Sequence, residues 1–229
     1  MRTFLLAAAI VAIASPADAA VRNFGITSFT KIRVGGPYKV TVATGVAPYA
    51  RASGSPNAID RVAIEVRGDT LVVGANPSWG GYPGTDPGPV EVAVGTHDLT
   101  SASLIGSGSV DIDRVKSLGF RLTIQGSGAG QIGNVQVDQL NVSLEGTANA
   151  KVGGKAGKLT SLVRGMSTLQ AANLATPSAD IDVDGTATVD ANVTDTVRVN
   201  GWGPATIRLT GRPACTLKVS GSTSVSGCR

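Results

Sequence analysis

Histidine occurs once in this chain of 229 residues, at His97, and cysteine twice, at Cys215 and Cys228. Zinc sites need several Cys or His ligands, more than this chain supplies. Hydrolytic triads need a base beside a nucleophile, and neither a Gly-x-Ser-x-Gly elbow nor a Walker loop is present. His97 itself stands in Gly95-Thr96-His97-Asp98, a turn-like tetrapeptide. The cysteines do not form Cys-x-x-Cys, which argues against dithiol redox chemistry. Aromatic residues make up only 4% of the chain, so its core must be aliphatic. Twenty basic and 16 acidic residues give a net charge of +4, but no basic run occurs of the kind that tracks a phosphate backbone. Nucleic acid is therefore not an expected partner. Beyond residue 20 no segment is long and apolar enough to span a bilayer.

The first residues do carry a short apolar run. Arg2, then Phe4 to Ala14, then Ala17-Asp18-Ala19 form the charged, hydrophobic and small-residue regions of a secretory signal. Cleavage after Ala19 is expected, giving a periplasmic or secreted protein of residues 20–229. No cysteine follows the cleavage site to accept a lipid anchor. In an oxidising compartment the paired count of cysteines predicts a Cys215–Cys228 disulfide that staples the end of the chain.

What the chain has in quantity is glycine, and the glycines keep time. Gly106, Gly126, Gly146, Gly165, Gly185, Gly201 and Gly221 are separated by 20, 20, 19, 20, 16 and 20 residues. Two positions before each stands Leu104, Ile124, Leu144, Val163, Val183, Val199 or Val219. Between the apolar positions stand outward residues such as Gln125, Glu145, Arg164 and Asp184. Alternation marks a strand with one buried face. Small pairs follow the glycines, as in Ser107-Gly108 and Thr147-Ala148, and apolar residues resume four and six positions on. Identical residue types at one register every twenty residues fit parallel coils better than a hairpin sandwich. The expected fold is all-β: a parallel β-helix, or solenoid, with coils of about 20 residues. Stacking should bring Glu145, Arg164 and Asp184 into one outward column, and Asp182 and Arg198 into another. Trp202 takes the small corner position of a shortened coil.

One domain is expected, with residues 20–98 as irregular first coils and 99–229 as regular ones. Strand-like runs cover 29–34, 38–43, 63–67, 71–74 and 90–94. Gly74 to Pro89 is too rich in glycine and proline for sheet, and loops of this length are often functional. Trp79 and Tyr82, with Asp86 nearby, are the candidate binding residues, because aromatic faces stack on sugars or anchor a protein partner. Asp180-Ile181-Asp182-Val183-Asp184-Gly185 imitates half a calcium loop. Ala191 stands where the bidentate Glu belongs, and a strand holds the carboxylates too extended to wrap an ion. Asp111 and Asp113 likewise share one strand face. No metal or cofactor is expected.

The opening Asn23 to Val34, then Tyr38-Lys39-Val40-Thr41-Val42 and Leu71-Val72-Val73, together with repeats such as Gly126-Ser127-Gly128, resembles the bacterial "Putative auto-transporter adhesin, head GIN domain" family. The resemblance covers essentially residues 20–229. It implies a single-stranded, right-handed β-helix in exported proteins and supplies no catalytic residues. The expected function is a non-enzymatic, exported, adhesin-like binding protein of the cell envelope. Its partner would be an envelope polysaccharide or a surface protein. The alternative is a carbohydrate-active enzyme, a polysaccharide lyase or hydrolase, on the same scaffold.

Overall fold

The computed structural model describes residues 20–76 and 88–229. In chain order the strands are β1 (Ala20–Phe24), β2 (Lys31–Gly35), β3 (Lys39–Thr44) and β4 (Tyr49–Gly54), then β5 (Val62–Arg67), β6 (Thr70–Ala75), β7 (Glu91–Thr96) and β8 (Ser101–Gly106). Five long strands follow: β9 (Ser109–Gly126), β10 (Ala129–Gly146), β11 (Asn149–Gly165), β12 (Thr168–Asp184) and β13 (Thr188–Trp202). The last are β14 (Thr206–Thr210), β15 (Ala214–Ser220) and β16 (Ser224–Ser226). The one helix among the described residues, α1 (Pro56–Asp60), starts at Ser55, whose hydroxyl accepts from the Ala58 amide. The fold is a β-solenoid of about six turns, with coils of about 20 residues.

Each long strand bends through most of one coil, and β9 to β13 pair in parallel along their lengths. On the face that precedes each corner glycine, one inward column runs Leu104, Ile124, Leu144, Val163, Val183. Beside it run Ala102, Leu122, Val142, Ser161 and Ile181. Every one of these is at most 2% exposed. Each large aliphatic contributes about 1.5–3 kcal/mol by leaving water, so the columns are the main source of stability. Ser161 is the exception in chemistry: its hydroxyl is buried with no hydrogen-bond partner.

At the corner the glycines stack directly. Gly146 has φ +100°, and a Cβ there would stand 2.6 Å from the Gly126 carbonyl oxygen. Both the left-handed backbone and the close approach demand glycine. Inward beyond them lies a second small column, Gly108, Gly128, Ala148, Ser167, Ala187 and Ala205. Ser167 fits there because its hydroxyl donates to the Gly146 and Arg164 carbonyls.

The last coils shift this register. Asp184 pairs with Trp202, and Gly203 (φ +96°), not Gly201, stacks on Gly185. The true corner spacing is therefore 18 and 18 residues, from Gly185 to Gly203 to Gly221. Gly201 falls into the inward column above Val183, and Val199 falls above Ile181. Trp202 consequently stands in the outward column rather than at the corner, 52% exposed. The sequence-based register takes Gly201 because it is the first glycine after an alternating run; Gly203 is two residues on and preserves the alternation equally well. The outward pairing moves by the same two residues: Arg198 lies beside Asp180, and Asn200 beside Asp182.

The N-terminal portion is less simple than coils added in order. β6 and β7 pair in parallel with β2 and β3 from the outside, so the later coil lies farther from the stack than the earlier one. The chain then returns through Leu99 and Thr100, whose amide donates to the Thr30 carbonyl at 2.8 Å, and β8 takes the other side of β2. β4 pairs antiparallel with β7, β1 with β4, and β5 with β6. Antiparallel strands and α1 thus cover an end that parallel coils would leave open.

Candidate functional site

Trp79, Tyr82 and Asp86 lie outside the described residues, as do residues 1–19. Cys215 and Cys228 are joined, with a Cα–Cα separation of 5.8 Å. His97 is exposed in the turn after β7, where its carbonyl accepts from the Gly45 amide at 2.9 Å. Among the described residues no group of three His, Cys, Asp or Glu side chains is placed to hold a metal ion. No helix among them is long and apolar enough to cross a membrane.

Three of the carboxylates singled out by the sequence, Asp113, Asp180 and Asp182, are occupied by the scaffold. Asp180 lies 2.6 Å from the Lys158 ammonium and 3.5 Å from the Arg198 guanidinium. Asp182 accepts from the Asn200 amide at 2.6 Å. Asp113 accepts from the Thr44 amide and hydroxyl, at 3.1 and 3.2 Å, and from the Arg114 amide at 2.6 Å. It ties the bend of β9 to the end of β3. These contacts hold neighbouring coils in register.

A groove of about 570 Å³ lies where β10, β11 and β12 bend. Its floor is Val137, Ala156, Ala175 and Pro177; its rim carries Gln136, Asp138, Lys155 and Thr194. Sequence dictates the hollow in two ways. Small residues replace large ones along the columns: Lys155 is followed by Ala175, and Val137 by Ala156. The coil lengths also change here. β12 and β13 shift register between Ala171 and Ala175 and again between Thr176 and Ser178, around Pro177, which has no amide to donate. The Thr176 hydroxyl bonds to the Ser178 carbonyl at 3.0 Å and holds the bend. An apolar floor with an amide, a carboxylate, an ammonium and a hydroxyl at the rim has the composition of ligand sites, and its volume lies within their ~300–1,000 Å³. Asp138 is the only carboxylate among the described residues that line it. The legible signals for these residues are the unequal coil spacings and a proline inside a strand run.

The match to known proteins follows from this architecture. The model of the family described as "Putative auto-transporter adhesin, head GIN domain" matches residues 28–213. The chain belongs to that family. Solved structures share the head GIN domain's coils. A Bacteroides fragilis NCTC 9343 protein described as a putative adhesin is 19% identical, with a TM-score of 0.80 over 91% of this chain and 96% of that one. A Parabacteroides distasonis ATCC 8503 protein described as a putative lipid binding protein is 20% identical, with a TM-score of 0.70 over 91% and 96%. A putative adhesin from Parabacteroides merdae ATCC 43184 is 17% identical, with a TM-score of 0.67 over 90% and 95%. At these identities the likeness is one of fold. No curated protein matches.

Proposed function

We propose that this head GIN domain is a non-enzymatic, exported, adhesin-like protein of the cell envelope, which holds an envelope polysaccharide or surface protein in the groove over β10–β12. The observation that carries the reading is the groove's chemistry: an apolar floor and four different polar groups on rigid coils, with one carboxylate. Glycoside hydrolysis ordinarily uses a pair of carboxylates about 5–10 Å apart, and the described residues lining the groove include one. Binding needs only shape and hydrogen bonds, which rigid strands supply with little ordering cost.

The test is a screen of glycans, envelope fractions and lipids (one structural relative being described as lipid binding) with the purified protein. Thr194→Trp should fill the groove and Lys155→Ala should remove its cation. Both side chains are exposed, so melting curves should be unchanged while binding falls. Trp79→Ala and Tyr82→Ala enter the same screen. Binding lost in those variants and kept in Thr194→Trp would move the site to Trp79 and Tyr82 and overturn the groove reading.

A further inference from the structure

We infer a second site, for an acidic polysaccharide, in a trough of about 430 Å³ at the N-terminal end of the solenoid. The inference rests on the binding reading above but concerns a different face. Its lining includes Lys31, Arg33, Arg67, Thr70, Ser101 and Ser103. Sheet register explains how they meet. Lys31 stands between Thr70 and Ser101 on adjacent strands, and Arg33 between Val72 and Ser103. Ser101 in turn stands beside Arg121, and Ser103 beside Thr123. Ser101, half-buried, thus lies between two long cations, Lys31 and Arg121, and the half-buried Ser103 lies between Arg33 and Thr123, on strands roughly 4.8 Å apart. Short residues between long ones make the hollow.

The charges there are unequally committed. Lys31 is held by Asp69 at 2.9 Å, and Arg67 by Glu65. The Lys31 contact, with a hydrogen bond from the Thr70 hydroxyl, holds the Asp69 carboxyl below its usual range. Arg33 and Arg121 have no carboxylate within 4 Å among the described residues, and both are exposed. Two guanidiniums, each with five donors in a fixed fork, therefore face solvent across a floor of hydroxyls. Farther along the same face the outward positions begin with Thr123, Asn141, Ser143 and Thr160, before Leu162. An extended chain lying across the coils would meet cations first, then a strip of hydroxyl and amide groups. Carboxylate or sulfate groups suit the former, and sugar hydroxyls the latter. A membrane surface suits this face less, because the described strands around the trough expose few large aliphatic side chains, Ile105 and, three residues before Arg121, Leu118, and insertion needs a larger apolar area.

Titrations of the purified protein with polygalacturonate, dextran sulfate and neutral dextran test the inference, together with vesicles containing phosphatidylglycerol. Polygalacturonate or dextran sulfate should bind, more weakly as salt rises, and neutral dextran should not; which of the two binds identifies carboxylate or sulfate as the group read. Removing two charge-assisted contacts in R33Q/R121Q should weaken that binding by about tenfold or more. K116Q/K151Q removes the same charge from exposed positions elsewhere and should change it by less than about twofold. R33K/R121K should restore most of the loss. Equal weakening by the two charge-neutralising pairs would reduce the site to general attraction, and binding of neither acidic polymer would overturn it. Vesicle binding tighter than polysaccharide binding would replace the polymer with a lipid surface. Thr194→Trp should leave polygalacturonate binding intact, so failure of the groove and failure of the trough are read separately.

Discussion

The middle and the C-terminal end of the solenoid use the same columns under different conditions. In the middle, Leu144 and Val142 have a coil on each side and are buried. At the end, Val219 and Leu217 occupy the same two columns yet are 41% and 44% exposed. Identical patterning therefore carries unequal energy. A repeat is stabilised by its two neighbours, and the terminal one has only the neighbour below. The chain compensates with covalent chemistry, closing β15 to the segment after β16 through Cys215 and Cys228. It also lets the register relax, so that Gly201 leaves a small residue where every coil below it has an aliphatic one.

The comparison breaks most clearly with a carboxylate in the column. Leu144→Asp would bury an unpaired charge between Ile124 and Val163 and should cost more than about 5 kcal/mol, enough to unfold the stack. Leu217→Asp places the same group where water already reaches and should cost under about 1 kcal/mol. Equal losses of melting temperature in the two variants would show that the end is as tightly buried as the middle.

Cys228→Ser should have the next largest effect, about 3 kcal/mol for a short closed loop. Because coils unfold from an end, the loss should be local. Hydrogen exchange should quicken in β15 and β16 while amides of β10 and β11 stay protected.

A smaller difference tests the register itself. Gly203→Ala introduces a side chain at φ +96°, against the Gly185 carbonyl oxygen at 3.1 Å, and should cost about 1–3 kcal/mol. Gly201→Ala keeps an ordinary backbone and meets the Thr223 methyl at 2.8 Å, a side chain of the loosely packed last coil held by a hydrogen bond to the Gly203 carbonyl, and should cost less than Gly203→Ala. If the order were reversed, Gly201 would be the corner.

This contrast also marks how far the sequence could be read. The regular coils are legible because Leu104 to Val183 repeat one residue type at one spacing, and parallel stacking is the arrangement that uses such a pattern. Gly201 and Gly203 are not distinguishable locally: both follow an alternating run, and only pairing with Gly185 decides between them. The inverted order of β2 and β6 is hidden for the same reason, since either strand has an alternating face that any coil could accept. β1, β4 and α1 lack the repeat altogether. The groove was half-legible. Its cause is in the unequal spacings and Pro177, but which rim residues converge depends on how three coils bend together. The serine floor of the trough is equally local in sequence and non-local in effect, because Ser101 matters only once Lys31 and Arg121 flank it.

The smallest expected effect concerns the outward column, where the middle has Gln125, Glu145, Arg164 and Asp184 and the end has Trp202 and Ser220. Glu145 lies 3.8 Å from the Arg164 guanidinium and accepts from the Gln125 amide at 3.3 Å. Both partners of the ion pair are well exposed, so water and salt screen the attraction, and holding two long side chains together offsets part of the gain. Glu145→Ser should therefore cost under about 1 kcal/mol and lose even that in high salt. Comparing it with Leu144→Asp, one residue away, separates the inward from the outward face of a single strand. A Glu145→Ser penalty of several kcal/mol that persisted in salt would mean that the charge ladder, rather than the aliphatic columns, sets the spacing of the coils.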